Sequence, residues 1–390
     1  MHSRFYHHPP HESKETGLRI GIDARVMSVK AGGIGRYTLE MVRAMAAREK
    51  AKDHEFILYP GKDIDAVDLP DNWRCSQRRL TSRGILRSLS YPSLARKDRL
   101  DAFYSADYLG PVLPMPCRTV ITVHDLIPIV YPRVTRFQHR LVGNCLLPRT
   151  IRNAAAVVSV SEATKQDILR HILIPKSKIK VIYEGKNKAF HPRDRDDRRI
   201  RAIRSRYGIG DDPYFLSLGI SDPKKNGKNI VRAFSETVKR SEKRCTLVLA
   251  GNTGHGASSL ERMANELRIR DKVLFPGFVS DEHLPLLMSG ARGLCFPSLY
   301  EGFGLPVLEA MACGCPVITS NVSSLPEIAG NAALLVDPGD VGQLSHAMER
   351  LLHEDGLYED LRTRGITRSE DFSWEQAAEE LLDLLTATEQ

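Results

Sequence analysis

The chain has 390 residues, 42% apolar and 27% charged, an ordinary globular composition that is long for one core and divides naturally into two domains. No apolar run approaches the roughly 18 residues of a membrane span, and the polar, His-rich residues 1–16 lack the apolar stretch of a signal peptide. The net charge of +8 is uneven: residues 17–188 hold 30 Lys+Arg against 16 Asp+Glu, and residues 189–390 hold 24 against 30.

His7, His8 and His11 could bind a metal, but residues 1–16 read better as a disordered lead-in. Strand-like apolar runs then follow at Leu18–Ala24, Glu55–Tyr59, Ala102–Ser105, Val120–Val123, Ala155–Val160 and Ile179–Tyr183, separated by helical patterns. The first strand leads into AGGIGRY, where Gly32, Gly33 and Gly35 precede a helix expected from Arg36 to about Arg48. A dinucleotide fingerprint fails there, because Thr38 stands where its third glycine belongs. Residues 73–99 interleave Arg74, Arg78, Arg79, Arg83, Arg87, Arg96, Lys97 and Arg99 with Trp73, Ile85, Leu86, Leu89, Tyr91 and Leu94. Arg133, Arg136, His139 and Arg140 extend the basic character, and the pattern fits either a solvated surface or an anionic membrane face. Nucleic acid is disfavoured, since no DNA- or RNA-reading motif accompanies the charge. VITVHDLIP places His124 and Asp125 at the carboxyl end of a strand, and Ser161 reads as the cap of the next helix.

The domain boundary is expected near residues 185–212, giving units 17–188 and 189–370 with a terminal segment 371–390. DRDD at the boundary reads as a linker or helix start among arginines. A second series of strands is expected at Tyr214–Leu218, Thr246–Ala250, Val273–Phe275, Gly293–Phe296, Pro316–Thr319 and Ala332–Val336. Two such series predict an α/β chain of two doubly wound parallel sheets, with ligands at the carboxyl ends of the strands. After the first strand of this series Gly219 is followed by Lys224 and Lys225, either of which can neutralise an anionic leaving group. The seven scattered cysteines make no disulfide framework, and the C-G-C of Cys313 and Cys315 lacks the second pair of a zinc site, so a reducing cytoplasm fits.

The organising stretch is PSLYEGFGLPVLEAMACGCP, residues 297–316. It reads as a strand end, a glycine turn and a short helix. Gly302 and Gly304 let backbone amides approach a bound group, and Pro306 suits a first helical turn. Amides at a helix N-terminus favour an anion. Glu301, beside them, is better suited to accepting hydrogen bonds from hydroxyls. Amides for phosphate and carboxylates for hydroxyls together describe a nucleotide sugar.

These residues resemble the retaining glycosyltransferases of the GT-B fold, family 4 (glycosyl transferases group 1), over nearly the whole chain from Arg19 to about Leu385. PSLYEGFGLPVLEAMACGCPVITS carries the family's pair of glutamates as Glu301 and Glu309. GIDARVMSVKAGGIGRYTLEM, VHDLIPIVYP and FPGFVSDEHLPLLMSGA match in order, and look most like the bacterial mannosyltransferase-type members acting on surface polysaccharide precursors. The resemblance implies two Rossmann-like domains facing a deep cleft, with the C-terminal helix crossing back to the first. It implies that Glu301 faces the donor sugar, Glu309 binds ribose, and the amides of Gly302, Phe303, Gly304 and Leu305 meet sugar and phosphates. Lys225 in PKKN matches the diphosphate lysine, and His124 the histidine lining the sugar. Gly33 and Gly219 match the glycines beside the diphosphate, and Val279 the residue beside the base. One departure stands out: Ile220 follows Gly219 where many members have arginine, so a phosphate contact is expected from elsewhere, such as Lys228 or Arg25.

The implied activity is retaining, metal-independent hexosyl transfer without a cofactor, from GDP-mannose or a UDP-hexose to a saccharide or lipid-linked acceptor at the cytoplasmic membrane face. A non-catalytic nucleotide-sugar or lipid-binding scaffold is the alternative, and the broken fingerprint disfavours an NAD enzyme.

Overall fold

The structure is a computed structural model that describes residues 17–28, 32–61, 67–77, 84–107, 110–132, 143–194, 196–251 and 255–387, the side chains of 84–88 and 255 excepted. The first sheet has seven parallel strands: β1 (Arg19–Ala24), β2 (Glu55–Pro60), β3 (Trp73–Cys75), β4 (Ala102–Ser105), β5 (Arg118–Val123), β6 (Ala156–Ser159) and β7 (Ile179–Val181). Their order is β3-β2-β1-β4-β5-β6-β7. The second sheet has six parallel strands: β8 (Tyr214–Leu218), β9 (Thr246–Ala250), β10 (Val273–Gly277), β11 (Gly293–Phe296), β12 (Val317–Ser320) and β13 (Ala333–Val336). Their order is β10-β9-β8-β11-β12-β13. In each sheet the winding reverses beside the first strand, between β1 and β4 and between β8 and β11. A doubly wound sheet leaves its ligand crevice at that switch point, outside the carboxyl ends of the strands.

Both faces of each sheet are buried, which is why the strands read as continuous apolar runs rather than alternating ones. Phe56 and Leu58 pack to one side of β2, Ile57 and Tyr59 to the other. In β9, Val248 faces one core while Leu247 and Leu249 face a second. The helix Trp374–Thr386 runs back onto the first domain: Trp374 packs edge-on against Tyr37 at 5.4 Å, and Arg118 Nε donates to the Leu384 carbonyl at 2.7 Å. A Cβ on Gly185 would sit 2.1 Å from the Trp374 amide, so glycine is needed where the chain leaves the first domain beneath this helix. No described helix is long and apolar enough to cross a membrane.

The basic stretch at 73–99 is in part core. Trp73 begins the edge strand β3, which the sequence pattern had hidden, and stacks on Phe56 at 4.0 Å. Tyr91 and Leu94 are buried on the helix Gly84–Asp98. These three apolar residues therefore hold the first domain together instead of facing a membrane. Arg74 pairs with Glu55 at 2.9 Å, whereas Arg96, Lys97 and Arg99 are exposed. Arg78, Arg79, Arg83, Arg133, Arg136, His139 and Arg140 lie outside the described residues, as do the side chains of Ile85, Leu86 and Arg87.

Candidate active site

The helix Leu305–Ala312 is apolar nearly all round and buried nearly all round, so it stands inside the second domain with its N-terminus toward the first. Gly304 caps it at φ 112°, a left-handed conformation that favours glycine. The turn before it is pinned by Ser324, whose hydroxyl donates to the carbonyls of Glu301 and Phe303 at 3.0 and 2.7 Å. Among the described residues the amides of Phe303, Gly304 and Leu305 have no hydrogen-bond acceptor. The Phe303 side chain is buried, edge-on to Phe372 at 5.8 Å, so only its backbone is offered to a ligand.

Lys225 and Glu301 meet at the switch point of the second sheet, on the loops leaving β8 and β11. Lys225 Nζ lies 2.6 Å from Glu301 Oε1 and 4.4 Å from the centre of the Phe296 ring. Lys224 Nζ stands 3.7 Å from the other carboxylate oxygen. Burial pushes the Glu301 carboxyl upward, but the ammonium groups of Lys225 and Lys224 outweigh it and hold the group below the usual carboxylate range. Burial in turn lowers the Lys225 ammonium. Gly219, at φ 72°, adopts the left-handed backbone that favours glycine, and it lies against the Lys225 stem, where a Cβ would sit in ordinary contact 3.4 Å from its Cε.

Glu309, one turn into the helix, is buried and faces Arg36 of the first domain at 2.9 Å. Arg36 also pairs with Asp281, on the loop after β10. Burial raises the Glu309 carboxyl to about 7, with Arg36 opposing the shift. Gly33 is the first residue of the helix Gly33–Ala46, which starts three residues before Arg36, and a Cβ on Gly33 would meet nothing within 4 Å. Val279, just beyond β10, is buried.

His124 directly follows β5, where the Nε2 edge faces the Ala106 carbonyl at 3.0 Å and the Nδ1 edge faces Glu184 at 3.3 Å. Tyr37 packs edge-on against the ring at 4.5 Å. The neighbouring Asp125 is raised by burial, with Lys224 opposing. The His124 carbonyl touches the second domain: it lies 1.6 Å from where a Cβ on Gly302 would be. Around it the two domains are clasped. Ser161 and Thr164 hydroxyls donate to the Gly302 carbonyl at 2.6 and 3.1 Å. Glu327 accepts from the amides of Glu162 and Ala163 and from the Tyr183 hydroxyl, at 2.7, 3.1 and 2.8 Å. Ser161 also caps its own helix through the Thr164 amide.

His124, Lys225, Glu301, Glu309, Gly33 and the turn 302–305 are thus gathered along one interdomain seam. Of the expectations about the missing phosphate contact, the one for Arg25 needs correcting. Ile220 is 5% exposed and packs in the second-domain core with Phe215 and Ile230, so its side chain is a structural apolar group. Arg25 does not supply the contact, because Asp23 holds it at 2.6 Å and Asp107 at 3.2 Å in a buried network. Lys228 is exposed at the start of the helix Gly227–Arg240. Arg36, Glu184 and Glu327 were missed by the sequence reading. Arg36 lies inside GGIGRY, where attention to the glycines hid it; Glu184 and Glu327 carry no local signal, since topology alone brings them to the seam.

Two family models match the chain: Glycosyltransferase Family 4 over residues 31–189 and Glycosyl transferases group 1 over residues 199–368. The chain is 29% identical over 365 residues to the O-antigen chain mannosyltransferase B of Escherichia coli, covering 90% of this chain and 95% of that protein. Among solved structures it is similar to sucrose-phosphate synthase from Thermosynechococcus elongatus, with TM-score 0.75 and 23% identity over 94% of this chain and 98% of that one. It is also similar to HepE from Anabaena in complex with UDP-glucose, with TM-score 0.75 and 16% identity over 95% of this chain and 100% of that one. These structural likenesses bear on the fold. The two matched regions divide where the two sheets divide and between them take in the glycine turn, the lysine loop and the paired glutamates: the chain belongs to the family 4, group 1 glycosyltransferases of the GT-B fold.

Proposed function

We propose that this glycosyltransferase is retaining and metal-independent, and moves mannose from GDP-mannose to a saccharide or lipid-linked acceptor in surface polysaccharide synthesis. One observation carries the reading. Lys225 and Glu301 sit together beside three backbone amides that lack acceptors among the described residues at a helix N-terminus, which brings cation, hydroxyl acceptor and anion cradle together from two adjoining loops. Mannose is favoured by the similarity to the O-antigen chain mannosyltransferase. A UDP-hexose is the second reading, favoured by the UDP-glucose in the HepE complex.

In this mechanism the bond between the sugar's anomeric carbon and the diphosphate oxygen breaks first, through an oxocarbenium-like sugar. Lys225 and the amides of Phe303, Gly304 and Leu305 stabilise the charge growing on the leaving diphosphate. The acceptor hydroxyl attacks from the face the diphosphate leaves, its proton passes to the departing phosphate oxygen, and configuration is retained. Lysine and amides take the place that a divalent cation holds in other transferases. The acceptor side rests on the +14 balance of residues 17–188 and on exposed Arg96, Lys97 and Arg99, which suit an anionic membrane face at the cytoplasmic side.

The test is melting temperature against GDP, UDP, ADP and TDP, each with and without EDTA. A shift with GDP alone that survives EDTA is expected. A shift with UDP alone replaces the mannose reading and keeps the mechanism, and loss of the shift in EDTA refutes metal independence. No shift with any of the four points to a non-catalytic scaffold.

A further inference from the structure

The donor reading leaves a deficit of positive charge. Ile220 is part of the core, Arg25 is closed within the first domain by Asp23 and Asp107, and Lys228 is exposed at a helix start. Arg36 is differently placed. It stands in the first turn of the helix Gly33–Ala46, and at Gly33 open space borders the backbone. Its guanidinium leaves its own domain and is held by two carboxylates of the other, Glu309 at 2.9 Å and Asp281.

That pairing cannot persist unchanged when a nucleotide enters. If Glu309 accepts the ribose hydroxyls, its oxygens are turned from the guanidinium to the ligand. Arg36 is then left half-buried, 20% exposed in its side chain and still paired with Asp281, beside a ribose whose 5′ diphosphate lies within reach of a long side chain. A planar guanidinium matches phosphate oxygens through two parallel hydrogen bonds and stays charged under all working conditions. We propose that Arg36 is a diphosphate-binding residue supplied by the first domain, held by Glu309 in the empty protein and passed to the nucleotide diphosphate when the ribose takes Glu309. This inference rests on the nucleotide-sugar reading above. It also makes the first domain a contributor to donor binding, so that closing the cleft and gripping the leaving group become one event.

The experiment uses the full chain and whichever of the four nucleoside diphosphates raises its melting temperature. Affinity for that diphosphate is measured by titration calorimetry, and affinity for the matching unphosphorylated nucleoside by competition, for wild type, Arg36→Gln and Arg36→Lys. The expected result is a roughly ten- to hundredfold loss of diphosphate affinity in Arg36→Gln, only partial recovery in Arg36→Lys, which restores the charge but not the paired hydrogen bonds, and nucleoside affinity within about threefold of wild type. Unchanged or tighter diphosphate binding in Arg36→Gln overturns the proposal, because it makes Arg36 only a plug on Glu309. Equal losses for diphosphate and nucleoside overturn it too, placing Arg36 on the ribose side or in domain closure. The melting temperature of each variant without ligand separates misfolding from these outcomes. Failure of the wild type to bind any of the four diphosphates is a separate result that removes the donor reading itself.

Discussion

Gly302 gives the most direct test of whether the clasped seam is the working geometry. A Cβ added there would lie 1.6 Å from the His124 carbonyl oxygen and 2.7 Å from its carbon, both backbone atoms that cannot rotate away. The two domains must part by about 1.4 Å at this point to reach the 3.0 Å that real Cβ contacts allow. The hydrogen bonds from Ser161 and Thr164 to the Gly302 carbonyl then stretch or break. At about 1 kcal/mol each they are a minor loss against the stability of two independently cored domains. Catalysis is far more sensitive, since misplacing reacting groups by about 1 Å costs on the order of a hundredfold. Gly302→Ala is therefore expected to fold with a melting temperature a few degrees below wild type, and to lose about two orders of magnitude in kcat. Steady-state sugar transfer and a melting curve make the comparison. A Gly302→Ala enzyme with kcat within about threefold of wild type would refute the seam as the catalytic arrangement.

Two further outcomes follow from the charges. Lys225→Gln leaves Glu301 buried with Lys224, at 3.7 Å, as its remaining ion-pair partner among the described residues. The expected loss of stability in the empty protein is about 2–3 kcal/mol, below the roughly 3–5 of a buried pair broken outright, and chemical denaturation measures it. Nucleoside diphosphate affinity should fall in the same variant. Glu309, raised to about 7 where 4.5 is ordinary, binds its proton more tightly in the folded empty protein than in the unfolded chain. Its contribution to stability is accordingly present at acid pH and lost as pH rises from about 4.5 to 7. If the ionised form accepts the ribose hydroxyls, nucleotide affinity should climb between pH 6 and 8, by up to about tenfold per unit below the transition. Glu309→Gln should flatten that rise, and calorimetric titrations across the window read the difference. An identical slope in the variant would show that this carboxyl is not the titrating group.

The sheets were legible because buried parallel strands are written as uninterrupted apolar runs, each ended by a glycine, a cap or a charged turn. β3 was not, because Trp73–Cys75 is a three-residue edge strand with only its first side chain buried. Trp73 among arginines looks the same in sequence whether it packs on Phe56 or faces a membrane. The turn at Glu301 to Leu305 was legible for a physical reason, since a glycine at positive φ before a proline-started helix leaves a local pattern. What could not be read was the partner across the seam. Glu309 and Arg36 are 273 residues apart, and Glu327 reaches the amides of Glu162 and Ala163 from the other domain. Such pairs depend on how two separately wound sheets meet, and no window of sequence contains that information. Ile220 shows the converse: the sequence marked it as a departure at a ligand position, and packing shows why an apolar side chain belongs there.

On the proposed reading, the charge pairs of the seam favour a whole nucleotide sugar over a free hexose as ligand. The charges proposed to meet a donor are matched internally: Lys225 with Glu301, and Arg36 with Glu309 and Asp281. A free hexose offering hydroxyls to Glu301 would have to turn that carboxylate from Lys225 and leave a buried ammonium without a counter-ion. Isolated buried charge is far costlier than the hydrogen bonds such a sugar could return. In the proposed arrangement a donor molecule resolves both losses together, its sugar and ribose hydroxyls meeting the glutamates and its diphosphate the lysine and the helix amides. Binding then exchanges one set of satisfied partners for another. After transfer the glycosidic link between hydroxyls and diphosphate is gone, so Glu301 loses its sugar and can return to Lys225, competing directly with the diphosphate product. The same pair that excludes a free hexose thereby helps to expel the spent nucleotide.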